Sequence, residues 1–105
     1  MEEGNSKHIL ILGKHQYMVE NLQQLLSKAG YKVAGFHEVE KALEEYKNTD
    51  LDMLVFTGAV SPNDFSDMLK WKEEQFPQSL VFEHHGGPAT LVDEINAAFA
   101  GSGKL

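Results

Sequence analysis

The side chains with most chemical reach in this chain are histidines and their polar neighbours. His15, His37, His84 and His85 stand close in sequence to Lys14, Glu38 and Glu83, and neutral imidazole with a carboxylate is a good zinc or nickel ligand set. On that reading the candidate metal ligands are His15, His37 and His84. The plainer reading is exposed loop histidines in a chain that holds five, and His84 and His85, if extended, point to opposite sides. Lys14 among Gly13, Gly58, Gly86 and Gly87 suggests a second chemistry, a cation with close backbone approach to a phosphate. Gly13-Lys-His-Gln-Tyr, however, carries neither the dinucleotide-binding glycine fingerprint nor the P-loop pattern. A third arrangement takes Thr57 as nucleophile, a nearby histidine as base and Glu83 as orienting acid, and no spacing singles it out. The absence of cysteine excludes disulfides, thiolate zinc sites and thiol redox chemistry. No cofactor is expected.

These residues fall at the ends of elements that the hydrophobic pattern marks out. His8 to Leu12 is a continuous apolar run, as expected of a strand covered on both faces in a parallel sheet, and Gly13 ends it. From Tyr17 to Ala29 the positions Met18, Leu22, Leu25, Leu26 and Ala29 recur at helical spacing, with Gly30 as the stop. Tyr31 to Phe36 reads as an edge strand of mixed polarity. Val39, Ala42, Leu43 and Tyr46 mark one face of a second helix whose remaining charges form a solvated face. Asp52 to Thr57 is a third, central strand. Ser61-Pro62-Asn63-Asp64 is a helix start, with Ser as cap and Pro at the first helical position, and Phe65, Met68 and Leu69 give that helix its inner face. Pro77 breaks it. Ser79 to Phe82 reads as a fourth strand, Glu83 to Gly87 as a loop, and Pro88 to Ala100 as a final helix with Leu91, Val92, Ile95, Ala98 and Phe99 inward.

Alternating strands and helices predict parallel strands with helices on both faces, a three-layer α/β/α arrangement in strand order 2-1-3-4. Ligands in such sheets bind beyond the carboxyl ends of the strands. There lie Gly13, Lys14 and His15, then His37 and Glu38, Thr57 and Gly58, and Glu83 to His85; His8 is at the opposite end.

At 105 residues the chain fits one domain with a single core: residues 7–100, with a flexible N-terminus over 1–6 and a flexible tail over 101–105. Sixteen acidic against nine basic residues give a net charge of -7, and no Lys/Arg cluster is present, so nucleic acid is not an expected partner. Apolar runs are too short for a membrane span or a signal segment, which leaves a cytoplasmic location by default.

Ile9-Leu-Ile-Leu, the helix ending Leu25-Leu-Ser-Lys-Ala-Gly-Tyr-Lys-Val, Glu40-Lys-Ala-Leu and Asp52-Met-Leu-Val-Phe together resemble the first half of a response-regulator receiver domain, over Lys7 to Val60. Pro88 and the helix after it resemble the receiver's last loop and helix. The resemblance implies a flavodoxin-like or receiver-like fold and a place in signal transduction. It also implies an acidic pair after the first strand to hold Mg²⁺, an Asp ending the third strand as nucleophile, and a Lys before the final Pro. At the matching positions stand Gly13 and Lys14, then Thr57, then Gly87, a degenerate phosphorylation pocket. A Thr hydroxyl without an adjacent base is not a nucleophile, and a Lys at the metal position repels magnesium. Loss of aspartyl phosphorylation follows.

One βα unit is missing relative to a receiver, which leaves Leu80-Val81-Phe82 on an edge strand that natural proteins usually cover. The expected function is thus a non-enzymatic, phosphorylation-independent module that binds another protein or itself, in the second case as a homodimer. Trp71, Phe76, Leu80 and Phe82 are the candidate interaction residues, Trp71 because it falls off the inward stripe. The alternative is a small-ligand or metal-binding protein using the histidine-bearing rim.

Overall fold

The computed structural model describes residues 7–46, 50–57, 60–84 and 88–102. Four parallel strands, β1 (His8–Gly13), β2 (Lys32–Phe36), β3 (Met53–Thr57) and β4 (Leu80–His84), form one sheet in the order β2-β1-β3-β4. The helices α1 (Gln16–Lys28), α2 (Val39–Glu45), α3 (Pro62–Gln75) and α4 (Leu91–Ser102) lie between and after them, and a 3₁₀ turn at Pro88–Thr90 leads into α4. The order, the parallel sheet and the three layers are those expected from the alternation of apolar runs.

The layers follow from the strand period of two. Ile9 and Ile11 of β1 and Met53 and Val55 of β3 face α1 and α4, joining Leu22, Leu26, Leu91, Ile95 and Phe99. Leu10, Leu12, Leu54 and Phe56 face the other way, against Ala42 and Met68 of α2 and α3. Because both faces of β1 and β3 are covered, their sequences are apolar from Ile9 to Leu12 and from Met53 to Phe56, whereas the edge strands are mixed. Each of these aliphatic side chains, almost all fully buried, contributes on the order of 1.5–3 kcal/mol.

Local chemistry sets the helix ends. After α1, Gly30 takes φ of 103°; its N–H donates to the Ser27 carbonyl and that of Tyr31 to the Leu26 carbonyl. This closes the helix in a Schellman motif, with Tyr31 and Leu26 sharing the core. At the start of α3 the Ser61 hydroxyl accepts from the Asp64 N–H at 3.2 Å, with Pro62 at the first helical position. Ser61→Ala is expected to cost about 1 kcal/mol, read as a lower urea midpoint with an unchanged m-value.

Several sequence expectations need correction. On α1 the inward residue is Val19, while Met18 is 36 % exposed; the helix is rotated so that Val19, Leu22 and Leu26 form the seam. Leu43 of α2 is likewise exposed, because only one stripe of a two-turn helix meets the sheet. β4 runs on to His84 instead of ending at Phe82: Glu83 and His84 pair with Phe56 and Thr57 of β3, so neither belongs to a loop. The final helix includes Gly101 and Ser102, which were expected in the tail, and its expected first turn at Pro88–Thr90 is 3₁₀. Residues 1–6, Gly58, His85, Gly86, Gly87 and 103–105 lie outside the described residues, as do the expectations placed on them. No helix among the described residues is long and apolar enough to cross a membrane.

Candidate functional site

The carboxyl edge of the sheet is where the expected site residues should meet, and β1, β3 and β4 fix their spacing. Gly13 and Thr57 are register partners on β1 and β3, and Thr57 and His84 are partners on β3 and β4. Strand alternation places all three on the α1 and α4 side.

Thr57 is only 2 % exposed. Its hydroxyl donates to the Met18 Sδ at 3.8 Å, a weak acceptor in place of water or a metal-bound oxygen. Its methyl group occupies the neighbouring space. A Cβ on Gly13 would lie 2.7 Å from the Thr57 Cγ2, 2.8 Å from the Thr57 carbonyl oxygen and 2.9 Å from the Val19 Cγ2. The strand end is therefore closed by Thr57 and Val19, and glycine at position 13 is what permits that closure. A recess lined by Leu12, Gly13, Lys14, His37, Val60 and Asp64 holds about 10 Å³, the limit for a single water. A phosphoryl group does not fit it.

Outside this closed end, an open cleft of about 410 Å³ runs past Lys14, His37, Glu38, Val39, Glu40 and Asp64. Lys14 and His37 face three carboxylates there, and the His37 Nε2 lies 3.8 Å from the Glu38 Oε2. The balance of charge is unfavourable to an anion.

His84 is 4 % exposed. Its Nδ1 lies 3.2 Å from the Glu94 Oε1 on α4, and the other Glu94 oxygen accepts from the Thr90 hydroxyl at 3.1 Å. The ring stacks against Phe82 with centroids 6.5 Å apart, and its Nε2 is buried without a hydrogen-bond partner. His84 thus ties β4 to α4. His15, at the N-terminal boundary of α1, and His37, after β2, are exposed. The three are not brought together: no group of three His, Asp or Glu among the described residues is placed to hold a metal ion.

Of the interaction candidates, Trp71 and Phe76 turn inward. Trp71 meets Tyr46 edge-on at 5.9 Å and Phe76 at 5.5 Å, and both pack on the core beneath α2 and α3. Leu80 and Phe82 pack against the α4 side. The apolar residue left exposed on this strand is Val81, at 39 %, which strict alternation between Leu80 and Phe82 would have marked. The helical period also carries Lys72 inward, four residues after Met68: it is 5 % exposed, and its Nζ donates to the Pro77 carbonyl at 3.3 Å and to the Glu73 Oε2 at 3.0 Å, fastening the turn before β4.

No protein-family model matches the chain, and no curated protein matches it. Among solved structures, the signal receiver domain of an HD domain-containing protein from Pseudomonas fluorescens Pf-5 aligns with a TM-score of 0.63 and 21 % identity, covering 90 % of this chain and 74 % of that one. With its parallel sheet in the order 2-1-3-4 and helices on both faces, the chain has a receiver-like fold.

Proposed function

We propose that this chain is a receiver-like interaction module that does not accept an aspartyl phosphate and is not an enzyme. One observation carries the reading. Where the resemblance places the nucleophile and its acidic neighbour, there is a buried Thr57 and a Gly13 whose side-chain space is already filled.

Phosphoryl transfer to a receiver needs a carboxylate, a magnesium ion to screen it and room for three equatorial oxygens. Thr57 offers a hydroxyl directed at a thioether, Lys14 brings a positive charge to the metal position, and the adjoining recess is water-sized. The four-stranded parallel sheet and the helices on both its faces are present, which supports a role carried by surfaces. The acidic net charge and the lack of a basic cluster favour a protein partner, or a second copy, over nucleic acid.

Beryllofluoride with Mg²⁺ is the test, since it mimics the acyl phosphate without turnover. Amide NMR of labelled protein is expected to show no saturable shift at Gly13, Lys14, Met18 or Thr57 at millimolar reagent. A saturable shift centred on Thr57 would overturn the proposal.

A further inference from the structure

The chain holds four methionines, and Met18, Met53 and Met68 fall among the described residues. Met53 of β3 and Met68 of α3 are fully buried, whereas Met18 of α1 is 36 % exposed, next to an exposed Tyr17. The seam of α1 runs through Val19, Leu22 and Leu26, so Met18 stands beside the core and not in it. Its contact there is polar. The hydroxyl of the buried Thr57 donates to the Met18 Sδ at 3.8 Å. A buried hydroxyl takes an acceptor within its reach, and a thioether is a poor one.

We propose that Met18 is a modification site: hydrogen peroxide oxidises its thioether to the sulfoxide, and the Thr57 hydroxyl holds the new oxygen. A sulfur lone pair attacks one peroxide oxygen, the S–O bond forms as the O–O bond breaks, and the departing hydroxide takes up the proton of the transferred oxygen to leave as water. Sulfur gives up two electrons and the peroxide gains them. The inference goes beyond the reading of the chain as an interaction module and does not depend on it.

Three features carry it. Susceptibility to oxidation follows exposure, which separates Met18 from Met53 and Met68. A sulfoxide oxygen is a stronger acceptor than the sulfur that bears it, and it shortens the reach from the present 3.8 Å towards the ~2.7–2.8 Å of a good O–H···O bond. Oxidation disrupts packing by turning an apolar side chain polar, but here the polar atom forms beside a buried donor whose present partner is weak. The rotatable bonds of the methionine side chain let the oxygen turn onto that donor. The mark sits at the carboxyl end of β3, where Thr57 closes the strand.

Peptide mapping of the folded full chain after hydrogen peroxide tests the site. Cleavage after Lys14 and Lys28 isolates Met18 on one tryptic peptide, and cleavage after Lys47 and Lys70 puts Met53 and Met68 on another. Met1, outside the described residues, is read on its own peptide. Met18 is expected to take up oxygen at least about tenfold faster than Met53 and Met68, and in urea the difference is expected to vanish. The amide and methyl NMR signals of Thr57 are expected to shift in step with the sulfoxide fraction, with the urea midpoint unchanged. In Thr57→Val, which keeps the shape and removes the donor, the same oxidation is expected to lower the midpoint. Should that variant fold poorly, the Thr57 signals of the wild type still decide. Equal rates at Met18 and the buried pair in the folded chain overturn the inference, as do Thr57 signals that stay put while the sulfoxide forms. An oxidised wild type that loses as much stability as oxidised Thr57→Val overturns it too. None of these outcomes touches the phosphorylation reading, which fails only by a saturable beryllofluoride shift.

Discussion

Gly13→Asp, which places an acid where the resemblance to receivers implies one, is expected to unfold the domain or to lose about 2–6 kcal/mol of its stability. Two costs combine. The new Cβ stands 2.7 Å from the Thr57 methyl, 2.8 Å from the Thr57 carbonyl oxygen and 2.9 Å from a Val19 methyl, and overpacking of this kind costs roughly 1–3 kcal/mol. The carboxylate is then held among Val19, Thr57 and Met18 with little to hydrogen-bond to, and burying a polar group without a partner costs at least ~1–3 kcal/mol more. Gly13→Ala isolates the first cost. Thr57→Ala in that background is expected to return only part of it, because the carbonyl oxygen stays where it was. Urea unfolding followed by circular dichroism measures all three, and a Gly13→Asp protein within about 0.5 kcal/mol of wild type, the usual range of an innocuous surface change, would show that the strand end is open after all.

The other large effect belongs to α4. Phe99→Ala is expected to destabilise by about 3–5 kcal/mol, in a domain whose whole stability is of the order of 5–15 kcal/mol. Phe99 is fully buried, its ring lies 5.8 Å from that of Tyr31 and the Lys7 ammonium sits 5.6 Å from its centroid. Tyr31 in turn donates its hydroxyl to the Asn96 side chain, and burial raises the pKa of its phenol. Truncating Phe99 empties the contact between the last helix and the turn after α1, so hydrogen exchange in α4 is expected to accelerate before that in β1 and β3. If the unfolding midpoint moves by less than the equivalent of about 1 kcal/mol, smaller than a typical core truncation, α4 is not an integral layer of the core.

These two sites also show where the sequence speaks and where it falls silent. The unbroken Ile9 to Leu12 run identifies a doubly covered strand because nothing else tolerates apolar side chains on both faces of an extended segment. Ser61-Pro62 and Gly30 announce their helix ends by chemistry confined to a few residues. The Gly13 and Thr57 identities can likewise be read off the chain, but that Thr57 fills the space above Gly13 depends on β1 and β3 lying side by side in one register. No window of sequence contains both.

Rotation and extent were the other gaps. Met18 and Val19 are both apolar, and periodicity alone does not choose between neighbours when the stripe tolerates either; the approach of α1 to Gly35 on β2 decides for Val19. His84 reads as a loop residue because it sits in Glu-His-His-Gly-Gly, yet β3 continues to Thr57 and offers it a partner, and Glu94 from α4 accepts its ring. Trp71 falls outside the stripe of its own helix but finds Tyr46 and Phe76 from elsewhere.

The sequence by itself determined the element order, the strand order, the two central strands and the identities Gly13, Lys14 and Thr57 at the strand ends, because each is written in residue type or in a period local to one segment. The tertiary structure alone decided that the strand end is filled and not merely altered, that His15, His37 and His84 are dispersed, and that Gln23 of α1 reaches over β2 to the Val33 carbonyl. Those are contacts between residues far apart in the chain, set by register and by how the helices lie on the sheet.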